Sequence, residues 1–187
     1  MIEDYWTSHF QYSSPTACND RHLHEVHCTI LRGFGSPPGR VLWRIDGCLV
    51  TVRSIVEPCW PRLCGVHLLD VNRSHAGARG GDLFAFLLRA NPTVKIDGRR
   101  HPAAPLRWLE RKTVNHGFEL IEPPALTMRH IRVQGDYWFF QADFAGHLRV
   151  ADAERFNAAI IDGIGSAKGF GFGMLVVDGT FQTEIPQ

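Results

Sequence analysis

The chain has 187 residues, 44% of them hydrophobic and 21% charged, and its formal net charge is +1. This length suffices for one ordinary domain or two compact ones, and the composition excludes global disorder and a fibrous repeat. No apolar run approaches the ~18–20 residues that cross a bilayer, and the start MIEDYWTSHF lacks the features of a signal peptide. We therefore expect a cytoplasmic protein without a membrane partner, whose five cysteines are reduced.

The first half of the sequence contains one amphipathic helix among segments with strand composition. Leu23, Val26 and Ile30 recur at helical spacing before Gly33, which predicts a helix over 21–33. Aromatic and β-branched residues predict four strands around this helix. These strands are DYWTSHFQY (4–12), RVLWRID (40–46), LVTVRSIV (49–56) and GVHLLDV (65–71), the middle two joined by a hairpin turn at Asp46-Gly47.

Residues 72–82, NRSHAGARGGD, carry no bulky apolar side chain and have the composition of a linker. We therefore place a boundary between a first domain at 1–79 and a second at 80–187. The pattern then restarts with strand 83–90, a basic loop, a helix near 103–115, strands in LTMRHIRVQ and YWFFQADFAGHLRV, a helix over 152–162, a glycine-rich loop and strand MLVVD. This order predicts an α+β protein of two tandem ferredoxin-like (βαββαβ) domains.

The segment 163–173, GIGSAKGFGFG, contains five glycines and one lysine. It follows a helix and precedes a strand, whereas Rossmann motifs and P-loops follow a strand and open a helix, so nucleotide binding of either type is disfavoured. A tight connection with positive φ explains one or two of the glycines. The alternation of glycines around a lysine favours a nest of backbone amides that binds a polyanion, with Gly163, Gly165, Gly169 and Lys168 as the binding residues.

The predicted helix over 21–33 carries His22, His24, His27 and Cys28, and the last three share one face. Two histidines suit phosphodiester cleavage, because one imidazole takes a proton from a 2′-hydroxyl while another group protonates the leaving 5′-oxygen. As a metal site, the same face would need a further ligand, and no matching CxxC or HxxxH lies elsewhere in the sequence. A core position for His27 is the third interpretation. We predict His27 and His24 as catalytic residues and no metal.

Basic residues dominate positions 89–112, where Asp97 and Glu110 are the acids. A projecting basic element of this kind fits the phosphates and deep groove of an A-form RNA stem, and RNA supplies the 2′-hydroxyl that histidine chemistry requires. A solvated surface is the alternative. The predicted RNA-binding residues of this segment are Arg89, Arg99, Arg100, Arg107, Arg111 and Lys112.

Four segments of the second half together resemble one known family. They are LFAFLLRANPTVK, LRWLERK, FAGHLRVAD and, above all, GIGSAKGFGFGMLVV. These segments are similar to the CRISPR-associated CasE endoribonucleases, the repeat-RNA processing subunit of type I-E Cascade. The resemblance covers most of 83–177 strongly and reaches the first half through HLHEVHCTILRGF and RVLWRID.

The resemblance implies tandem ferredoxin-like domains of the RAMP type and metal-independent, cofactor-free cleavage of CRISPR repeat RNA at the 3′ base of its stem-loop. It also implies a 2′,3′-cyclic phosphate on the upstream fragment, a product that stays bound, and assembly with other CRISPR effector-complex subunits. A relative from a type IV system fits as well.

By the same resemblance, the helix histidine of the family falls on His27. The family often has a tyrosine three residues earlier, and His24 stands there in this chain. His24 therefore either replaces the tyrosine in orienting the phosphate or serves as the second acid–base group. The alternatives to an endoribonuclease are a non-catalytic subunit that binds and caps a processed RNA, and a small metalloprotein built on the helix over 21–33.

Overall fold

The computed structural model describes residues 3–13, 23–35, 39–60, 66–133 and 137–179. The elements of the first half are β1 (Glu3–Tyr12), α1 (Leu23–Leu31), β2 (Val41–Asp46), β3 (Leu49–Ser54) and β4 (Val66–Ala76). Those of the second half are β5 (Leu83–Ala90), β6 (Thr93–Ile96), β7 (Arg99–Pro102), α2 (Pro105–Asn115), β8 (Phe118–Leu120), β9 (Ala125–Val133), β10 (Tyr137–Val150), α3 (Ala153–Asp162), a 3₁₀ turn (Lys168–Phe170) and β11 (Leu175–Asp178).

The first sheet has the strand order β2-β3-β1-β4, and all its neighbours are antiparallel. The predicted helix forms as α1, which packs Leu23, Val26 and Ile30 into a core that also contains Phe10 and Trp43. Because apolar residues three and four apart lie on one face of a helix, this packing sets which side chains of α1 remain outside the core. Positions 21 and 22 of the predicted helix, the second being a histidine, lie outside the described residues.

The second sheet has the order β11-β5-β10-β8, with β9 paired to β10. Its core includes Trp108 of α2, Phe144 of β10 and Phe156 of α3. Asp152 forms the predicted N-cap of α3, since its side chain accepts a hydrogen bond from the Arg155 amide at 3.1 Å. The predicted α+β architecture of two tandem ferredoxin-like units is confirmed. Within the described residues, no helix is long and apolar enough to cross a membrane.

The predicted linker at 72–82 is wrong over its first five residues. Residues 72–76 belong to β4, which pairs with β1 along its length. β4 lies at the edge of the sheet and is exposed at most positions, so its sequence lacks the apolar alternation that marks a half-buried strand. The chain passes from the first sheet to the second over 77–82, and the division into domains at 1–79 and 80–187 stays a prediction.

Two hairpins also differ from the sequence interpretation. The β2–β3 loop is Gly47-Cys48, one residue later than predicted, because Asp46 pairs with Leu49. The predicted basic loop contains the β6–β7 hairpin, whose turn residues Asp97 and Gly98 both have positive φ, 49° and 81°. Two positive φ values are typical of the type I′ turn that Asp-Gly favours. This turn places Arg99 at the start of β7.

A buried arginine joins the two halves of the chain. Arg53 of β3 donates from one Nη1 atom to the carbonyl oxygens of Ile160 and Leu175, at 2.8 and 2.9 Å. Ile160 lies in the last turn of α3, where the helix dipole is negative and favours a cation. Burial lowers the pKa of the Arg53 guanidinium. The contact fixes the first sheet against α3 and β11. It thereby fixes how α1 meets the glycine-rich loop that connects α3 to β11.

Candidate active site

His27 faces the glycine-rich loop of the other half of the chain. Its side chain is half-buried at the flank of α1, beside the core positions Val26 and Ile30. A Cβ built on Gly169 would lie 3.7 Å from His27 Cε1 and 3.9 Å from Nε2. His27 Nδ1 is buried and has no hydrogen-bond partner among the described residues. The structure thus presents the Cε1–Nε2 edge of the imidazole to the loop.

The surroundings of His27 favour a neutral imidazole. Burial lowers the pKa of His27 below the usual value of 6.5, and the charge of His24 lowers it further. A neutral imidazole accepts a proton, which is what a general base must do near neutral pH. The position of His27 and the direction of its pKa shift therefore suit the same chemical role.

His24 is exposed and lies one turn before Cys28 on α1. The His24 Nε2 atom and the Cys28 Sγ atom are 3.6 Å apart, within hydrogen-bond distance for sulfur. His24 also acts on His27 through its charge. Across the described ranges, no three or more His, Cys, Asp or Glu side chains form a group that could hold a metal ion.

Four glycines of the loop have a structural reason, which corrects the expectation that a tight connection would explain only one or two. Gly163, Gly165, Gly171 and Gly173 have φ values of 71°, 92°, 83° and 87°, a region that other residues rarely adopt. A Cβ on Gly163 would also lie 2.6 Å from the Gly173 carbonyl oxygen, and one on Gly165 would lie 2.8 Å from the Trp108 ring. Conformation and close packing therefore require glycine at these positions.

Gly169 differs from the other four glycines of the loop. Its φ is not positive, and a Cβ there would meet only His27, at an ordinary contact distance. The backbone could therefore carry a side chain at this position, and the fold gives no reason for its absence. What the small residue leaves open is the space in front of the His27 imidazole.

Lys168 lies in a cluster of cations around Asp162. Its Nζ donates to the Asp162 carbonyl oxygen at 2.6 Å, at the C-terminal end of α3. Burial lowers the pKa of Lys168, and the charges of Arg40 and Lys112 lower it further while Asp162 opposes them. Burial and the charges of Lys112 and Lys168 likewise lower the pKa of His116. These neighbouring cations form a site that is attractive to an anion.

Arg40 and His116 also belong to this cluster, although no pattern in the sequence indicates them. Arg40 precedes β2 in the first half of the chain, and His116 follows the last residue of α2. No spacing pattern links these positions to Lys168, because the fold alone brings them together. The one sequence signal is the charge of Arg40 at the start of a predicted strand, and such charges are common on protein surfaces.

Most of the predicted basic residues are exposed on two neighbouring elements. Arg99 and Arg100 lie on β7, and Arg107 and Arg111 lie one turn apart on α2. Lys112 is half-buried, with its Nζ 5.7 Å from the centroid of the Trp108 ring. The guanidinium groups on these elements are accessible to phosphates.

Arg89 stands apart from the other predicted RNA-binding residues, because its side chain is only 15% exposed. Its Nε donates to Asp143 Oδ1 at 2.7 Å, its Nη1 donates to the Ile45 carbonyl oxygen, and its Nη2 lies 3.5 Å from Asp46 Oδ1. Its own carbonyl oxygen accepts from the Gly173 amide at 2.7 Å. Arg89 thus links the β2–β3 hairpin to the glycine-rich loop, and its donors are engaged within the protein.

Comparison with known proteins agrees with the predicted resemblance. The CRISPR-associated endoribonuclease Cse3 of Thermus thermophilus is 29% identical over 187 aligned residues, which cover 82% of this chain and 89% of that protein. The fold matches Cse3 bound to a 19-nucleotide RNA with a TM-score of 0.85 at 25% identity, over 95% of this chain and 99% of that one. It also matches Cas6e of Escherichia coli K-12 with a TM-score of 0.71 at 20% identity, over 92% and 98% of the two chains.

The match to a family extends over nearly the whole chain. Residues 8–178 match the family described as CRISPR associated protein, and this range includes α1, the second sheet and the glycine-rich loop. The chain belongs to the family of CRISPR associated proteins.

Proposed function

We propose that the chain is an endoribonuclease that cleaves CRISPR repeat RNA at the 3′ base of a stem-loop and keeps the product bound. Its relative Cse3 is an endoribonuclease and has been seen with RNA bound. We place its action in the cytoplasm, with the other subunits of a CRISPR effector complex as partners. Cleavage needs no metal and leaves a 2′,3′-cyclic phosphate on the upstream fragment.

One observation carries this proposal: the imidazole of His27, whose surroundings favour the neutral form by lowering its pKa, faces the glycine-rich loop at Gly169. In the reaction, Nε2 of His27 takes the proton of a 2′-hydroxyl, whose oxygen attacks the adjacent phosphorus. The bond from phosphorus to the 5′-oxygen breaks, and that oxygen must receive a proton. Base, phosphate site and open space thus lie at one place, where α1 meets the loop.

His24 and Lys168 have supporting roles in the proposal. His24 is one turn from His27 on the exposed side of α1, so it either orients the phosphate or protonates the leaving 5′-oxygen. Lys168 and its neighbouring cations offset the negative charge that develops on the phosphate oxygens. The backbone at Gly169 lets the RNA approach closely, while Gly163 and Gly165 give the loop its shape.

The exposed arginines of β7 and α2 hold the RNA stem. They lie on a projecting hairpin and on an adjacent helix face, which can follow the phosphates of an A-form duplex. Lys112, over the Trp108 ring, lies between this surface and the cluster around Lys168. Stem binding therefore rests mainly on residues other than His27 and His24, so substitutions should separate it from cleavage.

The test is cleavage of a repeat stem-loop RNA by wild-type protein and by His27→Ala. Loss of one acid–base group lowers a rate by roughly 10²–10⁴-fold. We expect a cyclic-phosphate product from the wild type, a loss of this size in the variant, and nearly equal RNA affinities. The matched control is His147→Gln, because His147 is an exposed histidine of β10 that pairs with Glu122. Binding without any cleavage by the wild type would instead favour the non-catalytic subunit that caps a processed RNA.

A further inference from the structure

An open pocket of about 480 Å³ lies against the glycine-rich loop and includes both Lys168 and Gly169. Arg40 and Arg100 bring two further cations to its lining, and Phe139 and Phe170 bring two aromatic rings. The volume is in the range of pockets that bind small ligands. Cations next to aromatic rings are the combination that binds single-stranded nucleic acid, because phosphates pair with the cations and bases stack on the rings.

We infer that this pocket binds one unpaired nucleotide of the RNA, directly beside the phosphodiester on which His27 acts. The inference rests on the proposed function and names a subsite within it. Gly169 is at once part of the pocket and the residue in front of the imidazole. A nucleotide seated in the pocket therefore has its phosphate next to His27.

The cations of the pocket retain donors for a phosphate. The Arg40 side chain is 47% exposed, and its Nε is 3.9 Å from Asp162 Oδ1, a distance that leaves its remaining N–H groups uncommitted to this contact. Lys168 Nζ has three N–H groups, one of which donates to the Asp162 carbonyl oxygen. Arg100 Nη1 makes a long contact of 3.4 Å with Thr93 Oγ1.

The aromatic rings of the pocket pack against each other and against a buried ring of the core. The Phe139 and Phe170 centroids are 5.0 Å apart with an angle of 46° between the rings, and both side chains are partly exposed. Phe172, which is buried, packs against Phe139 with a centroid distance of 5.5 Å. The core therefore holds this pair in place before any ligand binds, which reduces the entropy that a stacking base must offset.

The polar lining of the pocket suits a ribose or a base edge. Ser166 Oγ lies 3.2 Å from Thr93 Oγ1 and 3.4 Å from the Asn91 carbonyl oxygen. Asn91 is itself fixed, because its Oδ1 accepts from the Phe140 amide at 3.2 Å. These contacts join β6 to the loop and hold the Ser166 hydroxyl at the pocket wall, where it can exchange hydrogen bonds with a nucleotide.

The first test measures binding of a stem-loop RNA whose attacking 2′-hydroxyl is replaced by hydrogen, so that it is not cleaved. This RNA is compared with forms that lack the base on either side of the blocked bond, one at a time. Loss of a stacked base lowers affinity roughly 5- to 150-fold. We expect one of the two abasic RNAs to show this loss with wild type, and Phe170→Leu to bind that RNA and the intact one with similar affinity. Equal losses in both proteins, or none in wild type, would overturn the stacking role.

The second test uses Arg40→Gln, with Arg155→Gln as the matched control. Both arginines are exposed and both pair with an aspartate, but Arg155 pairs with Asp152 and lies outside the pocket. We expect Arg40→Gln to lower affinity for the uncleaved RNA and to reduce the slope of log K against log salt by about 1, while Arg155→Gln changes neither. Equal salt slopes for the two variants would overturn the phosphate contact.

These measurements separate the subsite from the proposed function. Both use uncleaved RNA, so a wild-type protein that binds but does not cleave normal RNA would reject the endoribonuclease and still report on the pocket. Normal cleavage together with unchanged binding in both variants would reject the pocket alone. Thermal melting of each variant shows that the fold is retained, and the Arg40 arm stands even if Phe170→Leu unfolds.

Discussion

The glycine-rich loop (163–173) and the basic segment (89–112) are each conspicuous in the sequence for one residue type, and the structure uses these residues in opposite ways. In the loop, four of five glycines meet a demand of conformation or packing, whereas Gly169 faces His27. In the basic segment, most arginines are exposed, whereas Arg89 is engaged with the other half of the chain. Abundance of a residue type thus marks a region, and burial and partners decide what each member does.

The largest effect that tests this comparison is expected from Gly163→Ala set against Gly169→Ala. An alanine at 163 would be strained at φ 71° and would place its Cβ 2.6 Å from a backbone oxygen, so we expect the free energy of unfolding to fall by roughly 2–5 kcal/mol. An alanine at 169 meets neither problem, and we expect a change of under about 1 kcal/mol. Urea denaturation of both variants measures the two values.

The Gly169→Ala variant, which should lose less stability, should nevertheless be impaired in cleavage. The Gly169→Ala methyl group would lie beside the Cε1–Nε2 edge of His27, in the space that the RNA hydroxyl needs. We therefore expect this variant to fold normally and to cleave more slowly than wild type under single-turnover conditions. Equal destabilisation by both alanines, or normal cleavage by Gly169→Ala, would contradict the distinction drawn between the glycines.

Much of the fold could be predicted from local sequence, where burial imposes a pattern. The strand over 83–90 appears as β5, and Asp152 caps α3 as expected. The polar end of β4 was missed because an edge strand exposed on both faces carries no alternation. The β6–β7 hairpin was missed because its strands have four residues each, too few for a periodic signal.

The candidate site was predictable in parts but not as a whole. His27 stands out because it shares a helix face with other ionisable residues, and Lys168 stands out among glycines. That Gly169 meets His27 follows from the packing of two sheets, which Arg53 and Trp43 fix through contacts with the other half of the chain. Such long-range contacts leave no spacing pattern in the sequence, and the same holds for the approach of Arg40 to Lys168.

A smaller effect is expected from Arg89→Gln set against Arg100→Gln. Loss of the Arg89 guanidinium removes the cation that pairs with Asp143 and the donor to the Ile45 carbonyl oxygen, so we expect a loss of roughly 2–4 kcal/mol in unfolding free energy. The salt dependence of RNA binding should stay unchanged in that variant. Arg100→Gln should change stability by under about 0.5 kcal/mol and reduce the salt slope by about 1.

Denaturation and salt titration of RNA binding, run on the same preparations, measure both arginine variants. If Arg89→Gln lowered the salt slope while leaving stability unchanged, Arg89 would be an RNA contact like its neighbours, as the sequence alone suggests. The comparison between the buried and exposed arginines of the segment would then fail.

The smallest expected effect is a change in stability with pH, and it tests whether the fold buries His27. The pKa of His27 is lowered in the folded protein and stands near 6.5 in the unfolded chain, so the unfolded state binds more protons as pH falls. Its contribution is therefore fully present above about pH 6.5 and is lost as pH falls from there through the folded pKa. His27→Asn cannot take up this proton, so its stability should fall less between about pH 7.5 and pH 5 than that of wild type.

The lowered pKa of His27 also predicts how the cleavage rate depends on pH. If His27 is the general base, the cleavage rate rises with pH through its pKa and levels off at a lower pH than an ordinary histidine would give. A rate that instead falls as pH rises through this window would make His27 the acid and leave the base to His24.

The stability comparison between His27→Asn and wild type isolates His27. His116, whose pKa burial also lowers, is present in both proteins, so its contribution cancels. Identical stability profiles for the two proteins would mean that the loop does not bury the imidazole. Gly169 would then have no functional role at His27 that distinguishes it from the other glycines of the loop.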